Sequence, residues 1–283
     1  MQTMIERENF ALRQLNLVQS PIPEDASALI LNAPRFDLSR GEIDKILDYL
    51  DKGGRLIILV DYRVREINMV NEIMASYGMS FDMGIVMEND YSYNVSGIPF
   101  YTIPDLRDHD ITNPMIQQRT PYVLSYTMGI SELPQKRRSV ELTPLLTTSY
   151  NSYLWIQNEE SDSDAGIEIR GPIILGMAAM DPSWIDPNNP QPQARIVAIA
   201  SGSLLEPMDY FGQIPGNLDL FMNAITWLEN RPETLTVRSK SMFLLPMRIS
   251  GFETILYGII IVIVIPLAFF VAGFVIWLKR RHL

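Results

Sequence analysis

The sequence predicts a three-layer α/β domain with a mostly parallel sheet, followed by one transmembrane helix near the carboxyl terminus. Strand-like and helical patterns alternate between residues 28 and 78, with short loops between them. Such alternation is typical of a parallel sheet that helices cover on both faces. Buried strands and an amphipathic helix recur between residues 172 and 229. Residues 254–278 predict the transmembrane helix, because they form an apolar run of 25 residues without a charged side chain.

The first part of the domain contains two strand–helix units. Ser39 and Glu42 have the spacing of a capping box, in which each residue bonds the backbone of the other. Apolar residues then recur at helical intervals until Gly53 and Gly54, which end the helix because glycine readily adopts a left-handed conformation. The predicted elements are a strand at residues 28–31, a helix from Ser39, a strand at 55–60 and a helix at 64–77.

The second part has a looser pattern. Strands are predicted at residues 83–87, 122–128, 142–150, 172–180 and 195–200, and a helix at 217–229. Residues 154–157 are expected to continue the third of these strands, and His109 lies in an irregular stretch. Residues 158–164, NEESDSD, predict a solvated hairpin tip. A Ca²⁺ site is the alternative there, although the glycine and glutamate spacing of an EF-hand loop is missing.

The apolar run at residues 254–278 is long enough to cross a bilayer. At about 1.5 Å of rise per residue, a helix of this length spans the ~30 Å hydrocarbon core with some tilt. Aromatic rings near both ends suit the headgroup layer, and bilayer helices tolerate a proline at mid-span. Ser250 and Glu253 have capping-box spacing just before the run. The predicted membrane anchor comprises Tyr257, Pro266, Trp277, Lys279, Arg280 and Arg281.

The basic residues after the run indicate the orientation, because they favour the cytoplasmic side of a membrane. We therefore expect an extracytoplasmic domain at residues 1–232, a linker at 233–253, the transmembrane helix at 254–278 and a cytoplasmic tail at 279–283. This orientation requires export of the domain, yet the first residues lack the apolar segment of a signal peptide. We expect a further membrane helix upstream, which would make the protein two-pass rather than single-pass.

Composition excludes several kinds of chemistry. The chain has 283 residues, no cysteine, two histidines and a net charge of −10. Disulfides, thiolate nucleophiles and cysteine metal sites are therefore excluded, and the negative charge argues against a nucleic-acid partner. No ligand cluster has metal-site spacing, and no P-loop or G-x-G-x-x-G motif occurs. We predict no metal, no cofactor and no ATP hydrolysis by the chain itself.

Three groups of residues, in order along the chain, carry a resemblance to a known family. They are Pro23–Asp25 with Leu38-Ser39, Glu42, Tyr49-Leu50 and Gly53-Gly54-Arg55-Leu56; His109-Asp110-Ile111-Thr112; and Gly216–Phe221 with Asn223, Trp227 and Leu228. Together with the terminal span and its basic flank, they resemble the GldG-like family, the extracytoplasmic auxiliary component of a gliding-motility-type ABC transporter. The resemblance implies a domain similar to the class I glutamine-amidotransferase fold without its active site. It also implies partnership with an ABC-2-type permease and its ATP-binding subunit.

The chain departs from that family at three places. The family usually begins with a membrane helix, which is absent here. Asp110 replaces the proline of its His-Pro-Ile-Thr motif. Ser201-Gly202-Ser203 stands where the family often has Asp-Ser-Asp, so a ligand role of those acids does not transfer to this chain.

We predict no catalytic residue. The amidotransferase nucleophile is a cysteine, which this chain lacks. A serine nucleophile would have to pair with His109, and no Gly-x-Ser-x-Gly elbow accompanies it. Ser201-Gly202-Ser203 follows a predicted strand, as a nucleophile turn does, but serine at such a place is more often a turn residue or a helix cap.

Two function classes fit these observations best, and a hydrolase ranks third. The first is a non-catalytic, membrane-anchored auxiliary subunit of an ABC-type transport system. Its helix would dock against permease helices through the small residues Gly258, Ala268, Ala272 and Gly273. The second is an extracytoplasmic ligand- or glycan-binding module that uses the carboxyl ends of the strands. Its candidates for stacking on sugars are Trp184, Tyr91, Tyr93 and Tyr101.

Overall fold

The structure is a computed structural model that describes residues 5, 10–156, 167–182, 185–186, 189–190, 193–206, 214–230 and 257–281. The chain divides into two compact units, Met1–Phe243 and Leu244–Leu283. The predicted linker, the acidic segment at 158–164 and the predicted capping box at Ser250 and Glu253 lie outside the described residues. The boundaries drawn for domain, linker and tail stay predictions.

The first unit combines strands and helices. Its described helices are α1 (Arg40–Asp51), α2 (Asn68–Ser76), α3 (Asn113–Gln118) and α4 (Pro215–Leu228). Its described strands are β1 (Leu29–Asn32), β2 (Arg55–Leu59), β3 (Met79–Asp82), β4 (Ile85–Glu88), β5 (Asn94–Val95), β6 (Ile98–Thr102), β7 (Asp105–Leu106), β8 (Leu124–Ser125), β9 (Gly129–Glu132), β10 (Glu141–Thr147), β11 (Ser152–Ile156), β12 (Ile167–Arg170), β13 (Ile174–Asp181), β14 (Ile185–Asp186), β15 (Asn189–Pro190) and β16 (Ala194–Ile199).

The largest sheet has the strand order β1-β2-β16-β13-β10-β7, with β9 beside β13 and β3 beside β9. Strands β1, β2 and β16 run parallel to one another. All other pairings in this sheet are antiparallel. The prediction of a mostly parallel sheet is therefore wrong, because the sheet is mixed and its antiparallel pairings outnumber the parallel ones.

The connections explain this mixture. A parallel pair needs a crossover of a dozen or more residues, usually a helix. Helix α1 supplies that crossover between β1 and β2, whereas the described chain between β3 and β16 contains only α3, a helix of 6 residues. Loops and hairpins join the strands there and reverse their direction. The apolar runs of β13 and β16 did not reveal this, because a strand buried on both faces has the same pattern in either kind of sheet.

Helices cover both faces of the sheet, so the three-layer arrangement is confirmed. Alternate residues of β2, Leu56 and Ile58, belong to a core cluster that includes the apolar faces of α1 and α2. The residues between and after them, Ile57 and Leu59, belong to a second cluster that includes the apolar face of α4. Strand β16 divides its side chains between the two clusters in the same way.

Smaller sheets pair β12-β11-β4, β5-β6-β8 and β14-β15. The expectation that residues 154–157 continue the strand at 142–150 is wrong, because β11 leaves the large sheet for β4. The fully buried Glu88 carboxylate accepts hydrogen bonds from Ser149 N at 3.0 Å and from Ser149 Oγ at 2.7 Å. These bonds hold the turn after β10 against β4, so the next strand pairs there.

The two helix starts differ in how well the sequence predicts them. Helix α1 begins at the predicted capping box, in which Ser39 N donates to Glu42 Oε2 at 2.9 Å, and Gly53 follows its end with a φ of 81°. Helix α2 begins four residues later than predicted. The carboxylate of Asp37 accepts a bond from Met69 N at 2.7 Å. A side chain from a distant loop therefore satisfies a backbone group at this helix start, and local sequence does not reveal such a partner.

In the second unit, one helix runs over Tyr257–Arg281 with a mean hydropathy of 3.2, and among the described residues it alone is long and apolar enough to cross a membrane. The side chains whose exposure is described are exposed. A π-helical turn, Ile260–Val264, comes directly before Ile265–Arg281, which we label α5. Pro266 would meet the carbonyl of Val262 in a regular α-helix, and the wider turn accommodates this proline.

Candidate functional site

The carboxyl ends of the parallel strands form the first candidate site, because open α/β sheets usually bind ligands at this edge. A Cβ added to Gly202, which follows β16, would lie 2.6 Å from the Cβ of Asp61 and 2.9 Å from the Cβ of Ala33. Ala33 adopts a φ of 44°, and its N–H donates to Leu59 O at 2.8 Å. The turns after β1, β2 and β16 therefore meet in close contact, and only glycine fits at residue 202.

Three serine hydroxyls lie together at this edge. Ser125 Oγ and Ser203 Oγ are 2.6 Å apart, and Ser201 Oγ lies 3.1 Å from Ser203 Oγ. The hydroxyls of Ser201 and Ser203 also donate to the carbonyl of Ser125, at 3.3 and 3.1 Å. These bonds use the available hydroxyl hydrogens within the cluster. The arrangement is that of a turn locked by side chains rather than that of an activated nucleophile.

A carboxylate and a guanidinium extend the same edge. Asp61 is 8% exposed and accepts from Arg63 Nε at 2.8 Å, from Arg63 Nη2 at 2.5 Å and from Arg63 N at 2.9 Å. Burial alone would raise the pKa of Asp61, but the bonds and charge of Arg63 outweigh burial and lower it. Asp61 is thus held ionised against Arg63 and is not poised to act as a base.

His109 lies at the opposite end of the sheet. Its ring centroid is 5.1 Å from that of Trp227, and the guanidinium of Arg195 lies 4.9 Å from the Trp227 ring. Arg195 is the second residue of β16, whereas Ser201 and Ser203 follow its end. Six residues of strand at about 3.3 Å each separate the two places by roughly 20 Å. His109 therefore cannot accept a proton from either serine.

The protonation state of His109 follows from its surroundings. Burial lowers the pKa of the imidazole; Asp110 opposes this effect and Arg195 adds to it. The N–H of Ile111 donates to His109 Nδ1 at 3.1 Å. The ring is therefore neutral near pH 7, with Nδ1 as the acceptor and the proton on Nε2.

Aromatic rings also gather at the strand ends, although they differ from the rings that the sequence suggested. Tyr126 stacks on Tyr62 at 5.0 Å and on Phe100 at 4.7 Å between ring centroids. Tyr126 adopts a φ of 49°, a left-handed conformation that is uncommon for an aromatic residue. All three rings are half-buried. Tyr62 lies three residues after the end of β2, and this position close to a strand end was the signal that the sequence offered.

The predicted stacking residues that the structure describes differ in their exposure. Tyr101 is 6% exposed and contacts the edge of Tyr126 at 6.1 Å, so it is a core residue. Tyr91 is 70% exposed, and Tyr93 is half-buried. Trp184 lies outside the described residues.

All six predicted membrane-anchor residues lie in the helix Tyr257–Arg281. Trp277 contacts Phe274 at 5.8 Å between rings, and the guanidinium of Arg281 lies 5.3 Å from the Trp277 ring. Lys279 and Arg280 lie in the last turn, where positive charge complements the helix dipole.

The predicted docking residues do not all share one side of this helix. Ala268 and Ala272 are four residues apart and lie one above the other. Gly273 lies about 100° further around the helix than Ala272, since a turn contains 3.6 residues. A Cβ added at Gly258 or Gly273 would meet nothing within 4 Å.

Metal binding is not favoured by the described part of the chain. Within it, no group of three or more histidine, aspartate or glutamate side chains is placed to hold a metal ion.

Together, these features define a mixed α/β domain in a chain that also carries one helix able to span a bilayer. No protein-family model and no curated protein matches the chain. Its fold is similar to the solved structure of the mmIFT52 N-terminal domain, with a TM-score of 0.52 and 16% sequence identity over 86% of this chain and 91% of that chain. At this identity the similarity concerns the fold alone.

A second solved structure is a ThuA-like protein from Bacteroides uniformis ATCC 8492. It aligns with a TM-score of 0.36 and 14% identity over 72% of this chain and 70% of that chain. A TM-score that low does not establish a shared fold.

Proposed function

We propose that this chain is a non-catalytic, membrane-anchored auxiliary subunit of an ABC-type transport system of the gliding-motility type. Its partners would be an ABC-2-type permease and an ATP-binding subunit. The observation that carries the proposal is the helix Tyr257–Arg281, which has an exposed apolar surface and no charged residue before Lys279. The serine cluster has no base beside it among the described residues, which supports a non-catalytic role. The partners are those that the resemblance to the GldG-like family implies.

Co-purification tests this proposal. The full chain, tagged and extracted in mild detergent from cells that express it natively, should bring down a polytopic permease and an ATPase in stable ratio. Recovery of the chain alone, or with other classes of protein, would remove the transporter role.

Matched helix variants locate the interface. Ala272→Leu and Gly273→Leu add bulk where small residues permit close packing, so each should reduce permease recovery. Leu267→Phe adds bulk about 140° around the helix from Ala272 and serves as the control. Equal recovery with all three variants would show that the small residues do not form the interface.

The proposed orientation places the α/β domain outside the cell and the basic tail in the cytoplasm, as the basic flank predicts. Protease added to intact cells should cut the domain. Protection of the domain until lysis would reverse the orientation, and the transporter role would fail with it.

A second candidate is an extracytoplasmic ligand- or glycan-binding module anchored to the membrane. The half-buried stack of Tyr62, Phe100 and Tyr126 at the strand ends favours it, because sugars bind against such rings and ligands occupy this edge of open sheets. A glycan array with the full chain should give binding that Phe100→Ala removes and Tyr91→Ala leaves intact. Binding that is insensitive to Phe100→Ala would exclude this stack as the site.

A further inference from the structure

A cavity with both apolar and charged lining residues lies at the end of the sheet opposite to the strand carboxyl ends. Its volume is about 450 Å³, within the range that small-molecule sites occupy. Strands β10, β13 and β16 form the floor, where Glu141, Met180 and Arg195 are paired directly across the three strands. Ala178 and Thr143 form the next rung of this floor. The carboxyl-terminal half of α4 forms the roof, and His109 and Asp110 close one side.

Arg195 is the charged group inside this cavity, and it is 9% exposed. Its guanidinium donates to the carbonyl of Trp227 at 2.5 Å, to Asn230 Oδ1 at 3.0 Å and to Gln193 Oε1 at 3.2 Å. These acceptors are neutral. They occupy three of the five N–H groups of an arginine.

Within the described part of the chain, the charge of Arg195 is compensated only in part. None of the ion pairs among the described residues involves it. Burial lowers the pKa of Arg195 from its usual value; the charge of Arg55 adds to this effect, and the charge of Asp110 opposes it only in part. The bond to the carbonyl of Trp227 gives Arg195 a structural role at the end of α4, but that carbonyl offers only part of a negative charge. Two N–H groups of this buried cation have no hydrogen-bond partner among the described residues, which suits them to bind an anion.

The rim has the opposite charge. Asp110 and Glu141 are exposed carboxylates that line the mouth of the cavity. Glu141 is two strands away from Arg195 in the same rung, so their Cα atoms are about 10 Å apart. Both side chains are long enough to contact one ligand that lies between them. Two rim carboxylates repel a simple anion and attract an ammonium group. Between the charges lie apolar surfaces of Ala178 and Met180 and the ring of Trp227.

We propose that this cavity binds a small zwitterion of the amino-acid class. Its carboxylate is bound by Arg195 and its ammonium group by Asp110 and Glu141, while its side chain packs against Met180 and Trp227. The neutral His109 ring offers an Nε2–H donor beside Trp227. This inference is independent of the proposed transport role, since it concerns the α/β domain alone.

Calorimetric titration of the full chain in lipid nanodiscs tests the proposal, with each standard L-amino acid as the probe. At least one amino acid should bind, and its N-acetyl and carboxamide forms should bind about tenfold more weakly or worse, because each lacks one charge. Absence of binding by every amino acid at millimolar concentration would overturn the proposal. Equal binding of the N-acetyl form would overturn it too, because an anion site would then suffice.

Variants test separately how the carboxylate and the ammonium group of the ligand are bound. Arg195→Met should abolish binding, and Glu141→Gln should weaken it without disturbing the fold, since Glu141 is exposed. Glu132→Gln, an exposed carboxylate on β9, is the matched control and should bind as the unaltered chain does. Because Arg195→Met also removes the contacts with α4, the exposed Glu141→Gln variant keeps the test decisive. Unchanged affinity in Glu141→Gln would refute the ammonium site.

Discussion

Asn217 holds together two segments that are 94 residues apart in sequence. Its side-chain Nδ2 donates to Val123 O at 2.7 Å, and its Oδ1 accepts from Val123 N at 3.1 Å. Asn217 is 3% exposed and Val123 is 1% exposed, so these bonds are shielded from water. The pair ties the first turn of α4 to the chain just before β8, and β8 contributes Ser125 to the serine cluster.

Asn217→Ala should therefore destabilise the domain strongly. The substitution leaves the N–H and the C=O of Val123 buried without their partner, at about 1–3 kcal/mol for each group. The expected loss is about 2–6 kcal/mol, a large share of the ~5–15 kcal/mol by which domains are stable. Urea unfolding of the full chain in detergent, followed by far-ultraviolet circular dichroism, measures this change as a lower midpoint at an unchanged slope.

Asn223→Ala provides a graded comparison on the same helix. Asn223 is half-buried, and among the described residues its side chain makes one bond, from Nδ2 to Ile111 O at 2.9 Å. Its removal should cost about 0.5–1.5 kcal/mol. If Asn217→Ala cost no more than Asn223→Ala, the double bond to Val123 would not fix α4 in place, and the reasoning would fail.

Three further predictions concern other parts of the domain. Gly202→Ala should lower the free energy of unfolding by about 1–3 kcal/mol, because the added methyl group is overpacked against Asp61. Gly41→Ala in helix α1 should raise it by up to ~1 kcal/mol, because the added Cβ meets nothing within 4 Å. The midpoints of urea unfolding measure both changes. The folded state lowers the pKa of His109, so protonation of this residue favours the unfolded state. The stability of the unaltered chain, compared with that of His109→Asn, should therefore fall as the pH drops below about 6.5. A rise would contradict the lowered pKa of His109. Arg63→Met should cost less than about 1 kcal/mol at pH 7, because its side chain is 62% exposed. That cost should disappear in acid, where Asp61 is protonated; a loss that persists there would assign it to packing.

Local signals predicted the elements that depend on neighbouring residues. Helix α1 needs Ser39, Glu42 and Gly53, which lie within one segment, and the sequence predicted both of its ends. Helix α4 is apolar on one face, and its predicted range of 217–229 matches the observed Pro215–Leu228 closely. The long apolar helix was predicted because bilayer length and lack of charge are properties of the run itself.

Long-range partners explain what the sequence did not reveal. Asp37 caps α2 from 32 residues away, and Glu88 redirects the chain after β10 from 61 residues away. Nothing in the local pattern identifies such partners. The candidate site shows the same difference. Ser201 and Ser203 were noticed because they follow an apolar strand, whereas Ser125 ends β8 and Tyr126 follows it, far away in the sequence.

Arg195 and Ser201 lie at opposite ends of β16, and this separation affects what the two ligand-binding tests should show. Arg195 is the second residue of β16 and Ser201 follows its end, so the zwitterion cavity and the aromatic stack lie at opposite ends of the sheet, roughly 20 Å apart. A small ligand at one end cannot touch residues at the other. Phe100→Ala should therefore leave amino-acid binding unchanged, and Glu141→Gln should leave glycan binding unchanged. If either variant affected the other site, β16 or α4 would have to adopt two arrangements, because coupling over that distance requires an element with two states.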